Sequence, residues 1–261
     1  MLNKTGTPAL RLLAVIAIAG IAVLSGCAST GGNTTAAAPA GTAVPRIGFL
    51  SDYDRLQPVS GGASTVCWRT PGVDWAQYNK VLIERIGVSI KATSTQPSVD
   101  PTDLKALTDY FHTALVKAVA PQMQEVNRAG PGVLRVRITL TDLVPTDATK
   151  SLVGTAIPYG FVGEMASGAT DGRPAGSTPY LGETGMQAQF RDGASGAVIA
   201  ECADTNIGRK YVADLSNGVP NAATQWANGY FDSFSTWSYA KRAFDDWSAF
   251  LAQRLQALRA G

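Results

Sequence analysis

Two periodicities run along the chain. From Lys80 to Ile90, Leu82, Ile86, Val88 and Ile90 share one parity and Glu84 breaks it, which predicts a strand. Leu104, Leu107, Phe111, Leu115 and Ala118 then recur at helical spacing, behind Asp100 as a candidate N-cap, Pro101 at the first helical position and Asp103 in the first turn. Over residues 133–143, Leu134, Val136, Ile138 and Leu140 alternate with Arg135, Arg137, Thr139 and Thr141. That pattern predicts a strand with one buried and one wet face. Met186, Ala188 and Phe190 alternate with Gln187 and Gln189, the run Asp192–Gly196 turns, and Ala197–Ala203 returns, as in a hairpin. Ala240, Phe244, Trp247, Leu251, Leu255 and Leu258 form the apolar face of a helix from about Thr236 to Leu258.

The order is β-α-β-(insert)-β-β-α. It predicts an α/β sandwich with a mixed or mainly antiparallel sheet of about 4–5 strands and two main helices on one face. Before the first strand, Phe49, Leu50, Tyr53 and Leu56 are anchors in a polar segment where Ser51 or Asp52 could cap a short turn. Residues 59–77, with Cys67, Trp68 and Trp75, read as an irregular loop.

The N-terminus has a different pattern. Lys4 and Arg11 precede 13 apolar residues, Leu12–Leu24. A spanning helix needs about 20, so this is the length of a signal-peptide core. Leu24, Ser25 and Gly26 lead into Cys27. The tetrapeptide resembles the lipobox of bacterial lipoproteins, in which the cysteine is acylated and becomes the new N-terminus. A second or third acyl chain makes such an anchor stable, at about 0.8 kcal/mol per buried methylene. The alternatives are a non-lipidated signal peptide and an uncleaved anchor. Ala28 rather than Asp follows the cysteine, which by the same resemblance implies delivery to the outer membrane, facing the periplasm. Residues 1–26 are then the signal, 27–45 a lipidated tether poor in charge and bulk, and 46–261 one domain.

Cleavage changes the charge. The chain holds 22 basic and 20 acidic side chains, and only Lys4 and Arg11 fall within residues 1–26. Removing 26 of 261 residues leaves 235 with no net charge. That removes the case for nucleic acid or an anionic lipid surface. Assigning Cys27 to lipid leaves Cys67 and Cys202, either as a disulfide in an oxidising compartment or as two buried thiols.

Four segments resemble an uncharacterised proteobacterial lipoprotein family, DUF3313: residues 48–58 (Gly-Phe-Leu-Ser-Asp-Tyr-Asp-Arg-Leu-Gln-Pro), 78–86, 131–138 and 237–247. The first is the most specific. The family carries no established activity, so the resemblance implies no catalytic residue.

The residues themselves point away from common chemistries. His112 is the only histidine and lies on the border of its helix's buried face. No G-x-S-x-G occurs. A zinc site would need Cys67, Cys202 and His112 together, from distant parts of the chain. Gly61-Gly62 lacks the Lys-Ser/Thr of a phosphate loop. The carboxylate pairs Asp52/Asp54 and Asp245/Asp246 read as caps and solvated helix positions. A hydrolase would need Asp52, Asp54 or Glu164 to converge in a cleft. No cofactor or metal is expected.

Two aromatic stretches could meet a partner: one with Tyr159 and Phe161, the other with Trp226, Tyr230 and Phe231. Alternatively they cover the open sheet face. The leading expectation is a non-enzymatic, lipid-anchored outer-membrane protein whose periplasmic domain binds another envelope component. The alternative is a small-ligand binder with a pocket beneath residues 151–183, and a hydrolase comes last.

Overall fold

The alternating segments become the centre of a wider sheet. A computed structural model describes residues 44–60, 64–90, 99–150, 177, 180–207 and 236–260. Among these the strands are β1 (Gln57–Pro58), β2 (Val66–Arg69), β3 (Lys80–Ile83), β4 (Gly87–Val88), β5 (Gln124–Glu125), β6 (Val133–Val144), β7 (Glu183–Asp192) and β8 (Val198–Ile207). The long helices are α1 (Pro101–Val119) and α2 (Ser238–Ala260). The class is the mixed α/β one expected, but the sheet has eight strands rather than four or five. The strand expected over residues 80–90 divides into β3 and β4, and the additional strands β1 and β5 have two residues each and β2 has four. Such short strands carry no readable alternation.

The spatial order is β1-β2-β8-β7-β6-β3-β5, with β4 also on β6. Strands β1, β2, β8, β7 and β6 pair antiparallel, whereas β3 and β4 run parallel to β6. A parallel neighbour needs a crossover, and α1 supplies it between β4 and β6. Residues 66–69 are therefore strand rather than loop, because Val66–Arg69 pair in register with Ala203–Ala200.

Helix α1 begins as its caps predict. The Asp100 carboxylate accepts the Thr102 amide at 2.7 Å, and Pro101 needs no donor of its own. Leu107, Phe111, Leu115 and Val119 are buried, so the stripe ends on Val119 rather than Ala118. On α2, Ala240, Ala243, Phe244, Trp247, Leu251 and Leu255 face the same core. Phe111 and Phe244 stack with centroids 4.5 Å apart, and Trp247 lies 5.9 Å from each. Trp237 Nε1 donates to Asp103 at 2.9 Å, and near the other end Arg259 donates to the Gln122 carbonyl at 2.8 Å. Contacts rise together along both helices, so they run parallel. Both pack on the face formed by Val81, Ile83, Leu134, Val136, Ile138, Ala188 and Phe190.

The β3–β4 segment departs from the expected parity. Val81, Ile83 and Ile86 are buried, while Leu82 is half-buried and Val88 is exposed. Ile83 pairs with Val136 but Gly87 with Thr139. Four steps on one strand thus match three on the other, and the extra residue inverts the side-chain pattern. A register shift between Leu140 and Asp142 does the same in β6. There a Cβ at Gly185 would sit 2.5 Å from Thr141 Oγ1 and 2.6 Å from Asp142 Oδ2, so a larger residue would displace both side chains.

Phe244→Ala should cost about 3–5 kcal/mol, because it opens a cavity at the stacked centre of the helix pair. Val88→Ala, at an exposed edge, should cost less than about 0.5 kcal/mol. Urea unfolding checks the contrast; equal losses would show that the core is centred elsewhere.

Candidate functional site

The second face of the sheet was expected to be wet. Thr139, Thr141, Gln187, Gln189 and Glu201 on it are instead buried, with Gln187 and Glu201 at 0% exposure. Residues 45–56 lie across it as a strap. Gly48 adopts φ +79, which L side chains rarely adopt. The amides of Gly48, Phe49 and Leu50 then turn onto the Tyr53 hydroxyl at 3.1, 3.2 and 3.4 Å. That hydroxyl donates to Gln187 Oε1 at 2.9 Å, and Gln187 Nε2 donates to the Pro45 carbonyl at 2.6 Å.

Glu201 is the centre of the network. Its Oε1 accepts the Ser51 amide at 2.7 Å and Gln189 Nε2 at 2.6 Å. Its Oε2 accepts Ser51 Oγ at 3.0 Å, the Asp52 amide at 3.3 Å and Trp68 Nε1 at 2.9 Å. A buried carboxylate needs such donors to replace lost hydration. Of the two expected caps, Asp52 caps the 3-10 turn Tyr53–Arg55 by accepting the Asp54 amide, while Ser51 is committed to Glu201. Arg55 lies 3.7 Å over the Trp68 ring.

One residue along the same two strands, Cys67 and Cys202 are direct register partners and are disulfide-bonded, with Cα atoms 4.1 Å apart. Past the strap the polar face carries arginines. Arg135 Nη2 and Arg137 Nε reach Glu84 at 2.6 and 3.3 Å. Arg137 Nη1 and Arg191 Nε both donate to Gln189 Oε1, at 2.9 and 2.6 Å.

The other sequence-level candidates are dispersed. Asp54 is exposed and paired with Arg46, which holds its carboxyl below the usual range through a hydrogen bond and charge attraction. Asp245 accepts from Tyr110 at 2.8 Å, and burial pushes the neighbouring Asp246 carboxyl up. His112 is half-exposed, with Nε2 3.8 Å from Glu125 in β5, at the opposite sheet edge from Cys67 and β2. It borders a groove of about 610 Å³ between α1 and the β4 edge, lined also by Arg85, Ile86, Val88, Leu104 and Lys105. Among the described residues no three His, Cys, Asp or Glu side chains gather as a metal site, and no helix is long and apolar enough to cross a membrane.

Leu24, Ser25, Gly26, Cys27, Tyr159, Phe161, Glu164, Trp226, Tyr230 and Phe231 lie outside the described residues. In the second aromatic stretch, Trp237 is half-buried and Tyr239 is buried. Sequence reasoning missed Glu201, Gln187 and Gln189. The available signal was an acid inside the apolar run Val198–Ala203 opposite two alternating glutamines.

Fold and site together define a mixed α/β domain with two helices on one sheet face and a strap-covered polar network on the other. Residues 46–230 match the family described as "Protein of unknown function (DUF3313)", and the chain belongs to that family. The match begins at the strap. No curated protein matches the chain. Solved structures with a similar arrangement include a PelC dodecamer from Paraburkholderia phytofirmans, at 10% identity and TM-score 0.30, covering 56% of this chain and 83% of that one. Another is a DUF330 protein from Xanthomonas campestris, at 12% identity and TM-score 0.31, covering 68% and 88%. A DUF4136 family protein from Bacteroides thetaiotaomicron has 9% identity and TM-score 0.31, covering 77% and 97%.

Glu201→Ala should cost about 3 kcal/mol or more, because five donors lose their acceptor. Glu201→Gln should fail to restore stability, since both carboxylate oxygens face donors. A Gln variant as stable as the parent would contradict this.

At the turn end of the β7–β8 hairpin, Tyr78 donates to Asp192 at 3.0 Å. Burial, then this bond, pushes its pKa up to about 12. The folded state holds that proton more tightly than the unfolded chain. The stabilisation is therefore complete below pH 10 and lost as pH rises from 10 to about 12. Tyr110 is also raised, by its bond to Asp245, so the late phenolate absorbance of Tyr78 is the part lost in Tyr78→Phe. In Asp192→Asn it should move down yet stay above 10, because burial is the larger cause.

Proposed function

We propose that this protein is a lipid-anchored outer-membrane lipoprotein whose domain, residues 46–261, binds another envelope component and performs no catalysis on it. The observation that carries the reading is the Cys67–Cys202 disulfide. Such bonds persist in oxidising compartments such as the periplasm, which is where the lipobox resemblance at Leu24–Cys27 sends the chain. The strap adds a second support. The chain coming from Cys27 enters the domain at Pro45, whose carbonyl is bonded to buried Gln187. A pull on the anchor would reach the sheet through that network.

A second reading, a small-ligand binder, draws not on the expected pocket beneath residues 151–183, most of which lie outside the described residues, but on the groove of about 610 Å³ beside His112, a size common among ligand pockets. A thermal-shift screen tests it, because a ligand bound only by the native state raises the midpoint. A midpoint raised by no candidate, or raised equally in Leu104→Asp and the parent, would remove it.

Cys27→Ser should abolish labelling by a fatty-acid analogue and leave the precursor unprocessed. A variant that still carries label and fractionates like the parent would remove the anchor reading. In cells, Cys67 and Cys202 should resist alkylation until a reductant is added. Detergent-solubilised envelopes should yield a specific partner with the tagged protein, and repeated recovery of none would overturn the binding reading.

A further inference from the structure

We propose that Arg135, Arg137 and Arg191 form the surface on which an acidic segment of a protein partner docks; this rests on the reading of the domain as an envelope-binding module. Arg135 on β6 and Arg191 on β7 are direct register partners. Directly opposed side chains lie about 4.5–5.5 Å apart at Cβ, and like charges placed so are destabilising. Arg137 lies two residues further along the same face, opposite Gln189. Among the described residues, the ion pairs of these arginines are with Glu84 alone.

The next carboxylate on the face, Glu201, is shielded from them. Gln189 stands between, accepting from Arg137 and Arg191 on its oxygen and donating to Glu201 from its nitrogen. The result is a local excess of positive charge on a body that has no net charge after residue 26. Glu84 balances one of the three charges, and a like-charge conflict kept beyond that internal compensation marks a functional position.

The forks are also held in place. Phe49 of the strap lies 5.2 Å from the Arg137 guanidinium, and Arg191 Nη1 donates to the Gly196 carbonyl at 3.3 Å. The Arg135 and Arg137 side chains are 30% and 35% exposed, open to water yet mostly sunk. Guanidinium forks bind carboxylates in a bidentate manner. At that depth, between the strap and the hairpin end, a single carboxylate side chain reaches them more readily than a flat lipid surface.

The test uses the full chain in zwitterionic detergent and fluorescence anisotropy with a labelled oligoglutamate peptide. Binding should saturate and weaken with salt. Arg135→Gln and Arg191→Gln should each weaken it about tenfold, whereas Arg69→Gln, on an exposed residue across the sheet, should leave it unchanged. The melting temperature of Arg191→Gln should equal or exceed the parent's, because a like-charge pair is relieved. A lowered melting temperature with lost binding would mean a structural role and overturn the proposal. Absent binding, binding unchanged in both arginine variants, or preference for anionic vesicles or polyphosphate would also overturn it. If the arginine variants still recover the envelope partner that the parent recovers, this surface is wrong and the binding reading stands. If the parent recovers none, that reading fails first.

Discussion

The carboxylate of Glu201 is the group on which the polar side of this domain depends. An acid at 0% exposure is tolerated only if its lost hydration is replaced. Here the replacement comes from three separate pieces of chain: the strap through Ser51 and Asp52, the short strand β2 through Trp68, and the central strand β7 through Gln189. None of these donors can be withdrawn without leaving part of the charge unpaired. The strap is thus tied to the sheet by a condition on burial rather than by greasy contact. The disulfide one step along the same strands holds β2 in the register that Trp68 needs.

The sheet consequently separates two environments. Its helix side is a continuous apolar layer in which Phe111, Phe244 and Trp247 form the centre. Its other side changes along its length, from a dry hydrogen-bonded network under the strap to half-open arginines beyond Phe49. Gln189 joins the two regions, since its amide faces both Glu201 and the guanidinium groups. A chain with no net charge after residue 26 can therefore still present a concentrated charge on one face, which whole-chain counting averages away.

Much of the helix side was legible in the sequence. The Asp100–Pro101 start of α1 and the alternation of Leu134 to Leu140 are local signals, and local geometry fixed the outcome. The β3–β4 segment was legible as a strand but not in its facing, because the slip between Ile83 and Gly87 depends on pairing with β6. The polar face was the least legible. Gln187, Gln189, Arg135 and Arg137 alternate as a solvated face does, and nothing local announces that residues 45–56 will return across them. Cys67 and Trp68 read as loop because β2 is only four residues long and is held by partners more than 130 positions away. The anchor at Cys27 and the aromatic stretches around Tyr159 and Trp226 lie outside the described residues.

The central claim is that the strap belongs to the folded sheet and does not merely lie on it. Residue-resolved hydrogen exchange of the native protein tests it most directly. The Ser51 and Asp52 amides, bonded to Glu201, should exchange as slowly as the amides of β6 and β7, through global unfolding alone. Exchange at those two amides as fast as at an exposed loop, with β6 and β7 still protected, would contradict the account.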